Sequence, residues 1–248
     1  MLLAEIHGKS YRDIEDLEDL LTSAVFGHLR LIKPPLFWLA LLERARTVEQ
    51  STLLQVLGHL GVDALKFSGV RVRFWPYFPD YGEPDLLVQL FGDKVPSITI
   101  LVEVKLHAGK SGTGEFDQLA KYFRLLNDPT CLLDWPCDIE KRFLVYLTKS
   151  FSADELNASI AESEIPNVES RMFGLEWNDI AEIAIAERKH DELLDEVARF
   201  LKRRGFERFH GFVFLPPPPT FTGRFYQRLF FERLETKDIR TDGRFYGK

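Results

Sequence analysis

The 248-residue chain is 45% hydrophobic and 28% charged, and it carries a formal net charge of −6 at pH 7. This length and apolar content support one large folded domain, or one and a half, and exclude a globally disordered chain. No apolar run approaches the roughly 18 residues that cross a bilayer, and Glu5 and Lys9 interrupt the N-terminal apolar stretch, so we expect no membrane partner and no signal peptide.

Helices are predicted at the start of the chain. Residues 12–32 carry apolar side chains at 3.6-residue spacing, which is typical of an amphipathic helix. Two more helical stretches follow at about 36–47 and 49–60. The apolar stripe of the first helix consists of Ile14, Leu17, Leu21, Ala24, Val25 and His28.

Strands are predicted next. The segment 70–78 alternates and is rich in β-branched and aromatic residues, which favours a strand. Residues 85–91 and 97–106 form two further strands. The short turn between them contains Gly92-Asp93, so the pair fits an antiparallel hairpin or meander.

The remainder of the chain mixes helices and strands. Ser152 and Glu155 form a capping-box pattern that begins a helix at about 153–162. The other predicted elements are a helix at 115–127, strands at 142–148 and near 171–175, helices near 179–187 and 190–204, and an extended Pro-rich spacer at 215–220.

This order of elements predicts an α/β (α+β) fold, with helices packed on a sheet and no regular βαβ rhythm. We expect a core at 1–150 with a helical N-terminal part, and further helices and a strand at 151–214 packed on it. Residues 215–248 are expected to form a separate tail that is basic and rich in Phe and Arg.

The strand predicted at 97–106 has two chemically different faces. Alternation places Glu103 and Lys105 side by side on one face. Asp85 follows Pro84 at the start of the preceding strand, and it can approach Glu103 if the two strands pair. Two neighbouring carboxylates flanked by a lysine make a site for a hard cation such as Mg²⁺ or Mn²⁺. The opposite face is apolar and must be buried; it consists of Ile98, Ile100, Val102, Val104 and Leu106.

Three more polar side chains are candidates for the same site. On the first helix Glu18 is angled toward the core, beside Leu21 and Val25, and a partly buried carboxylate needs a partner or a metal. On the helix at 115–127, Gln118 and Tyr122 form an i,i+4 pair on one ridge and could face the same cleft.

Taken in order, these residues carry a family resemblance. Glu-Pro-Asp at 83–85, Glu-Val-Lys at 103–105 and Gln-x-x-x-Tyr at 118–122 resemble the PD-(D/E)xK nuclease superfamily. The acidic segment EDLEDLLTSAVFGHL, which begins at Glu15, resembles the first-helix segment of that superfamily. The resemblance covers roughly residues 12–150.

The resemblance implies a restriction-endonuclease-like fold, with a central mixed sheet flanked by helices and here a helical C-terminal extension. It implies a nuclease that hydrolyses phosphodiester bonds with Mg²⁺ or Mn²⁺, on DNA rather than RNA, in a setting such as phage defence. By position, Asp85, Glu103, the Val104 carbonyl and the first-helix acid Glu18 would hold the metal. Lys105 would position or activate the attacking water, and Gln118 and Tyr122 would support it.

Two basic segments are candidate nucleic-acid contacts. The Gly-rich loop at 107–114 offers Lys110 and Ser111 to a phosphate, although a flexible connection fits the loop equally well. Residues 199–248 carry 12 Lys and Arg against 5 Asp and Glu, with many Phe residues between them. Their cations, among them Arg203, Arg204 and Arg208, could neutralise phosphates, or the aromatic side chains could fill a core or dimer contact.

Two other functions stay open. One is a catalytically silent nucleic-acid-binding or assembly module on the same fold. The other is an interaction subunit that forms a homo-oligomer or docks on a partner through its Phe-rich C-terminus. Glu103 and Lys105 also fit a simple ion pair on a solvated sheet face. Cys131 and Cys137 have no nearby His, which favours small thiols in a cytoplasmic protein over a zinc site or a disulfide scaffold.

Overall fold

The computed structural model describes residues 17–106 and 117–206. Short 3-10 turns occur at Pro34–Leu36, Ala64–Lys66 and Ile139–Lys141. The helices in these ranges are α1 (Leu17–Leu29), α2 (Trp38–Arg44), α3 (Leu53–His59), α4 (Gln118–Asn127), α5 (Ala153–Ser163), α6 (Trp177–Glu187) and α7 (Glu192–Arg203). The strands are β1 (Gly69–Phe74), β2 (Leu86–Gly92), β3 (Val95–Lys105), β4 (Arg142–Thr148) and β5 (Met172–Glu176).

The five strands form one mixed sheet in the order β1-β2-β3-β4-β5. β1, β2 and β3 pair antiparallel as a meander, which confirms the hairpin predicted around Gly92-Asp93. β3, β4 and β5 pair in parallel, so the chain crosses over through α4 and then α5 between them. The predicted α+β architecture with a mixed sheet flanked by helices is confirmed.

Helices cover both faces of the sheet. One face packs against α1, α2, α3, α6 and α7 and contains the predicted apolar side of β3. The other face packs against α4 and α5 and includes Leu87, Leu101 and Leu144. Leu101 and Thr99 are fully buried, so the side of β3 that carries Glu103 is a second core rather than a solvated surface.

Local capping explains where several helices begin. The helix predicted from residue 49 begins only at Leu53, because the Thr52 side chain accepts the Gln55 N–H and Gln55 reciprocates in a capping box. The helix predicted from 115 begins at Gln118, whose N-cap is Asp117. α5 begins at Ala153 with Ser152 as its N-cap, as the sequence predicts.

β1 is shorter than the predicted strand at 70–78. It ends at Phe74 because Trp75 takes a positive φ of 46°, and Pro76 follows, which has no N–H to continue a ladder. The Trp75 N–H still donates to the Asp85 carbonyl oxygen at 2.9 Å, which holds the start of β2 beside the end of β1.

Several predicted features lie outside the described residues: the start of the first helix, Lys110 and Ser111, Arg208, the Pro-rich spacer and the basic tail. Cys131 and Cys137 are free, half-buried thiols. Across residues 17–106 and 117–206, no helix is both long and apolar enough to span a membrane.

Candidate active site

Asp85 and Glu103 meet at the end of the β2–β3 ladder. The last paired residues are Leu86 and Val102, so Asp85 and Glu103 occupy the next opposing positions and project to the same face. The two side chains are close enough for the Asp85 carboxyl group to act directly on Glu103. Asp85 is 9% exposed and Glu103 is 2% exposed, so the two carboxyl groups form a buried pair.

Lys105 joins the pair from two residues further along β3. Its Nζ lies 2.7 Å from Glu103 Oε1 and 3.4 Å from Glu18 Oε1. The Lys105 side chain is 14% exposed, and the Glu103 side chain is 2% exposed. The burial of both groups excludes an ion pair on a solvated face, since such a pair would leave them in water.

Glu18 reaches the same point from α1. Its Oε2 accepts the Leu106 N–H at 2.6 Å, while Oε1 contacts the Lys105 ammonium. The glutamate therefore fixes the chain just after β3 to the first turn of α1. Because both of its oxygens have protein partners, Glu18 acts here as an anchor for Lys105, and its role as a metal ligand stays a prediction.

Gln118 and Tyr122 form the predicted pair on α4. Gln118 Nε2 donates to the Tyr122 hydroxyl oxygen at 3.1 Å. Tyr122 is 3% exposed, and burial together with the nearby Glu103 charge raises its pKa. Among the described residues Gln118 Oε1 is buried without a hydrogen-bond partner. The structure thus brings all six predicted side-chain residues to one end of the sheet.

Tyr146 also belongs to this cluster, although the sequence pattern does not identify it. It lies opposite Glu103 in the parallel β3–β4 ladder and is fully buried. Its hydroxyl donates to Glu155 Oε2 at 3.0 Å, and burial, with the Glu155 and Glu103 charges, raises its pKa. The available signal was a tyrosine within the otherwise apolar run FLVYL at 143–147.

The electrostatics of the carboxyl pair favour bound protons. Burial raises the pKa of Asp85 to about 6, against the opposing effects of the Val104 N–H and Lys105. Burial and then the Asp85 charge raise the pKa of Glu103 well above its usual range. Burial opposes the charge on Lys105, but Glu103, Glu18 and Asp85 outweigh it and raise its pKa. One lysine therefore does not fully compensate the two buried carboxylates.

The donor set fits a hydrated divalent ion better than an all-protein metal cage. Asp85 and Glu103 offer adjacent oxygens, and the Val104 N–H donates to Asp85 Oδ2 at 2.7 Å. Because the N–H and C=O of a strand residue point to the same side, the Val104 carbonyl also faces Asp85. Mg²⁺ commonly uses one or two carboxylates and keeps several waters. No group of three or more His, Cys, Asp or Glu among the described residues could hold a metal ion.

The basic candidates within the described chain lie on α7. Arg203 and Arg204 are exposed at its C-terminal end, and the Arg204 guanidinium carbon lies 5.4 Å from the centre of the Phe200 ring. Their role in binding nucleic acid stays a prediction.

Comparison of the chain with protein-family models, with curated proteins and with solved structures finds no match.

Proposed function

We propose that this protein is a metal-dependent nuclease of the PD-(D/E)xK type that hydrolyses phosphodiester bonds in DNA. The observation that carries the proposal is the buried Asp85–Glu103 pair with the Lys105 ammonium 2.7 Å from Glu103. Perturbed carboxyl groups with a specific charged neighbour are a common mark of catalytic sites.

In this proposal Asp85, Glu103 and the Val104 carbonyl would hold Mg²⁺ or Mn²⁺. Such an ion, when bound, polarises a phosphoryl oxygen, lowers the pKa of bound water and stabilises the leaving oxygen. The same charge would favour the ionised form of both carboxyl groups, whose pKa values are raised first by burial and then by neighbouring negative charge.

The roles of the other residues follow from their contacts. Lys105 keeps its proton at neutral pH, because its carboxylate neighbours raise its pKa, so it orients water or phosphate by donating hydrogen bonds. Glu18 fixes the position of the ammonium. Tyr122 and Gln118 line the site from α4, where the hydrogen bond between them holds both side chains in place.

Incubation with linear duplex, circular duplex and single-stranded DNA, and with RNA, in Mg²⁺, Mn²⁺ or EDTA tests the proposal. We expect wild type to cleave DNA only with the divalent ion, and Asp85→Asn and Lys105→Ala to lose cleavage. Lys94→Ala removes an exposed lysine from the β2–β3 turn and should cleave as wild type does. Cleavage that persists in EDTA, or that is equal in all variants, contradicts the mechanism. A folded wild type that cleaves none of these substrates favours the silent nucleic-acid-binding module.

A further inference from the structure

The edge strand β1 carries two exposed arginines, Arg71 and Arg73. We infer that these two arginines bind the backbone of a DNA strand and guide it to the carboxyl pair. The inference rests on the proposed function for its choice of DNA, and the cleavage site already described does not include either residue.

The strand register places the arginines on the same face as the acidic pair. Arg73 lies opposite Leu87 and Arg71 opposite Gln89, and Leu87 in turn lies opposite Leu101. Leu87 and Leu101 belong to the core on the Glu103 side of the sheet. Arg73 is a diagonal neighbour of Asp85, at roughly 7–8 Å between Cα atoms. A DNA strand held by Arg73 would therefore pass close to the start of β2.

Trp135 holds both guanidinium groups in place. The Arg71 guanidinium carbon lies 4.2 Å from the centre of the Trp135 ring, and that of Arg73 lies at 5.4 Å. The Arg71 Nη1 also donates to the Asp134 carbonyl oxygen at 3.0 Å. Trp135 itself is 1% exposed, so it supports the arginines from below. Such stacking reduces the side-chain freedom that is lost when a guanidinium binds a phosphate.

The charges of the arginines are available to a ligand. Among the ion pairs of residues 17–106 and 117–206, none involves either side chain, and their contacts are the Trp135 stack and one main-chain carbonyl. Charged side chains on an edge strand also discourage pairing with another sheet. Preventing such pairing needs no fixed orientation of the guanidinium groups, whereas phosphate binding is strengthened by one. Charge complementarity beside a phosphodiester-cleaving site therefore favours a DNA strand as the occupant.

Binding measured apart from cleavage tests this inference. The full chain with Lys105→Ala, which is expected not to cleave, is titrated into labelled single-stranded DNA, duplex DNA and RNA over a range of salt concentrations. Adding Arg71→Gln or Arg73→Gln should weaken DNA binding about 3- to 10-fold at low salt. Each should lower the slope of log affinity against log salt by about 0.7–0.9, the loss of one phosphate contact.

Two control variants test whether the position of the charge and the stack on Trp135 matter. Arg30→Gln removes an exposed arginine just after α1, which packs on the opposite face of the sheet, and should leave the affinity and slope unchanged. Arg71→Lys keeps the charge and should keep the salt slope while it loses the stack on Trp135. Circular dichroism of each variant shows whether the fold is retained.

The outcomes distinguish this inference from the proposed nuclease activity. If wild type cleaves DNA but both Arg→Gln variants bind it with unchanged affinity and salt slope, the arginine surface is wrong and the nuclease proposal stands. If the variants weaken binding while wild type cleaves nothing, the surface stands and the catalytic proposal fails. Tighter binding to RNA than to DNA, or no DNA binding by the Lys105→Ala parent, overturns the assignment of DNA as the partner.

Discussion

Replacing Asp85 with Asn should make the metal-free protein more stable at neutral pH. The pKa of Asp85 is about 6 in the folded protein, against an ordinary value of 3.8, so the folded state binds the proton more tightly than the unfolded chain. The contribution of Asp85 to stability therefore falls as the pH rises from about 4 to about 6 and then levels off. The difference between the folded and the ordinary pKa of Asp85 corresponds to about 3 kcal/mol in the free energy of unfolding, at about 1.36 kcal/mol per pKa unit.

Asn removes this penalty because it has no charge to desolvate. It can keep the local contacts, since its carbonyl oxygen can accept the Val104 N–H and its amide can donate to Glu103. We expect Asp85→Asn to match wild type near pH 4 and to exceed its free energy of unfolding by up to about 3 kcal/mol above pH 6. Excess Mg²⁺ should stabilise wild type at that pH and leave the variant unchanged.

Urea denaturation followed by tryptophan fluorescence between pH 4 and 8, in EDTA and in Mg²⁺, measures these differences. Asp93→Asn is the matched control, because it makes the same substitution at an exposed carboxylate in the β2–β3 turn. A variant less stable than wild type at pH 8 in EDTA would refute the reasoning. A stability difference between variant and wild type that does not change with pH would also refute it. Either result would mean that the Lys105 ammonium fully offsets the cost of burying the Asp85 charge.

Three other substitutions follow from the contacts described. Lys105→Gln removes the ammonium 2.7 Å from Glu103 and should lower single-turnover cleavage at least about 100-fold, which gel assays measure. Arg142→Gln removes a buried guanidinium that donates to three main-chain carbonyl groups. Denaturation should show that the free energy of unfolding falls by about 3 kcal/mol or more. A decrease below about 1 kcal/mol contradicts this role. Gly174→Ala places a methyl group into the Phe151 ring, so the free energy of unfolding should fall by about 1–3 kcal/mol. An unchanged free energy of unfolding contradicts this prediction.

The acidic pair could be predicted from the sequence because its geometry is local. A period of two fixes which side chains of β3 share a face, and the short turn after β2 brings Asp85 opposite Glu103. The helical angle of Glu18 likewise indicated its direction. Its actual partner, the Leu106 N–H, lies 88 residues away in sequence, and a helical pattern contains no information about such a contact.

The parts that sequence reasoning missed depend on tertiary packing. The Glu103 side of β3 is buried because α4 and α5 pack on it. The sequence of β3 alone does not predict that these helices pack there. Tyr146 enters the site through the parallel β3–β4 pairing, which a crossover connection determines. The end of β1 at Phe74 depends on the positive φ of Trp75, a conformation that a strand-like composition does not predict.

The contact between Glu18 and the end of β3 also determines when the site can exist during synthesis. α1 leaves the ribosome before β3, so the Glu18 contacts with Lys105 and Leu106 cannot form until those residues have been made and β3 has entered the sheet. β3 in turn pairs with β4, which ends at Thr148. Contacts between residues this far apart in sequence carry a cost in loop-closure entropy and form slowly. A nascent or truncated chain therefore lacks the assembled site, and any activity of the site appears only after the chain has folded around it.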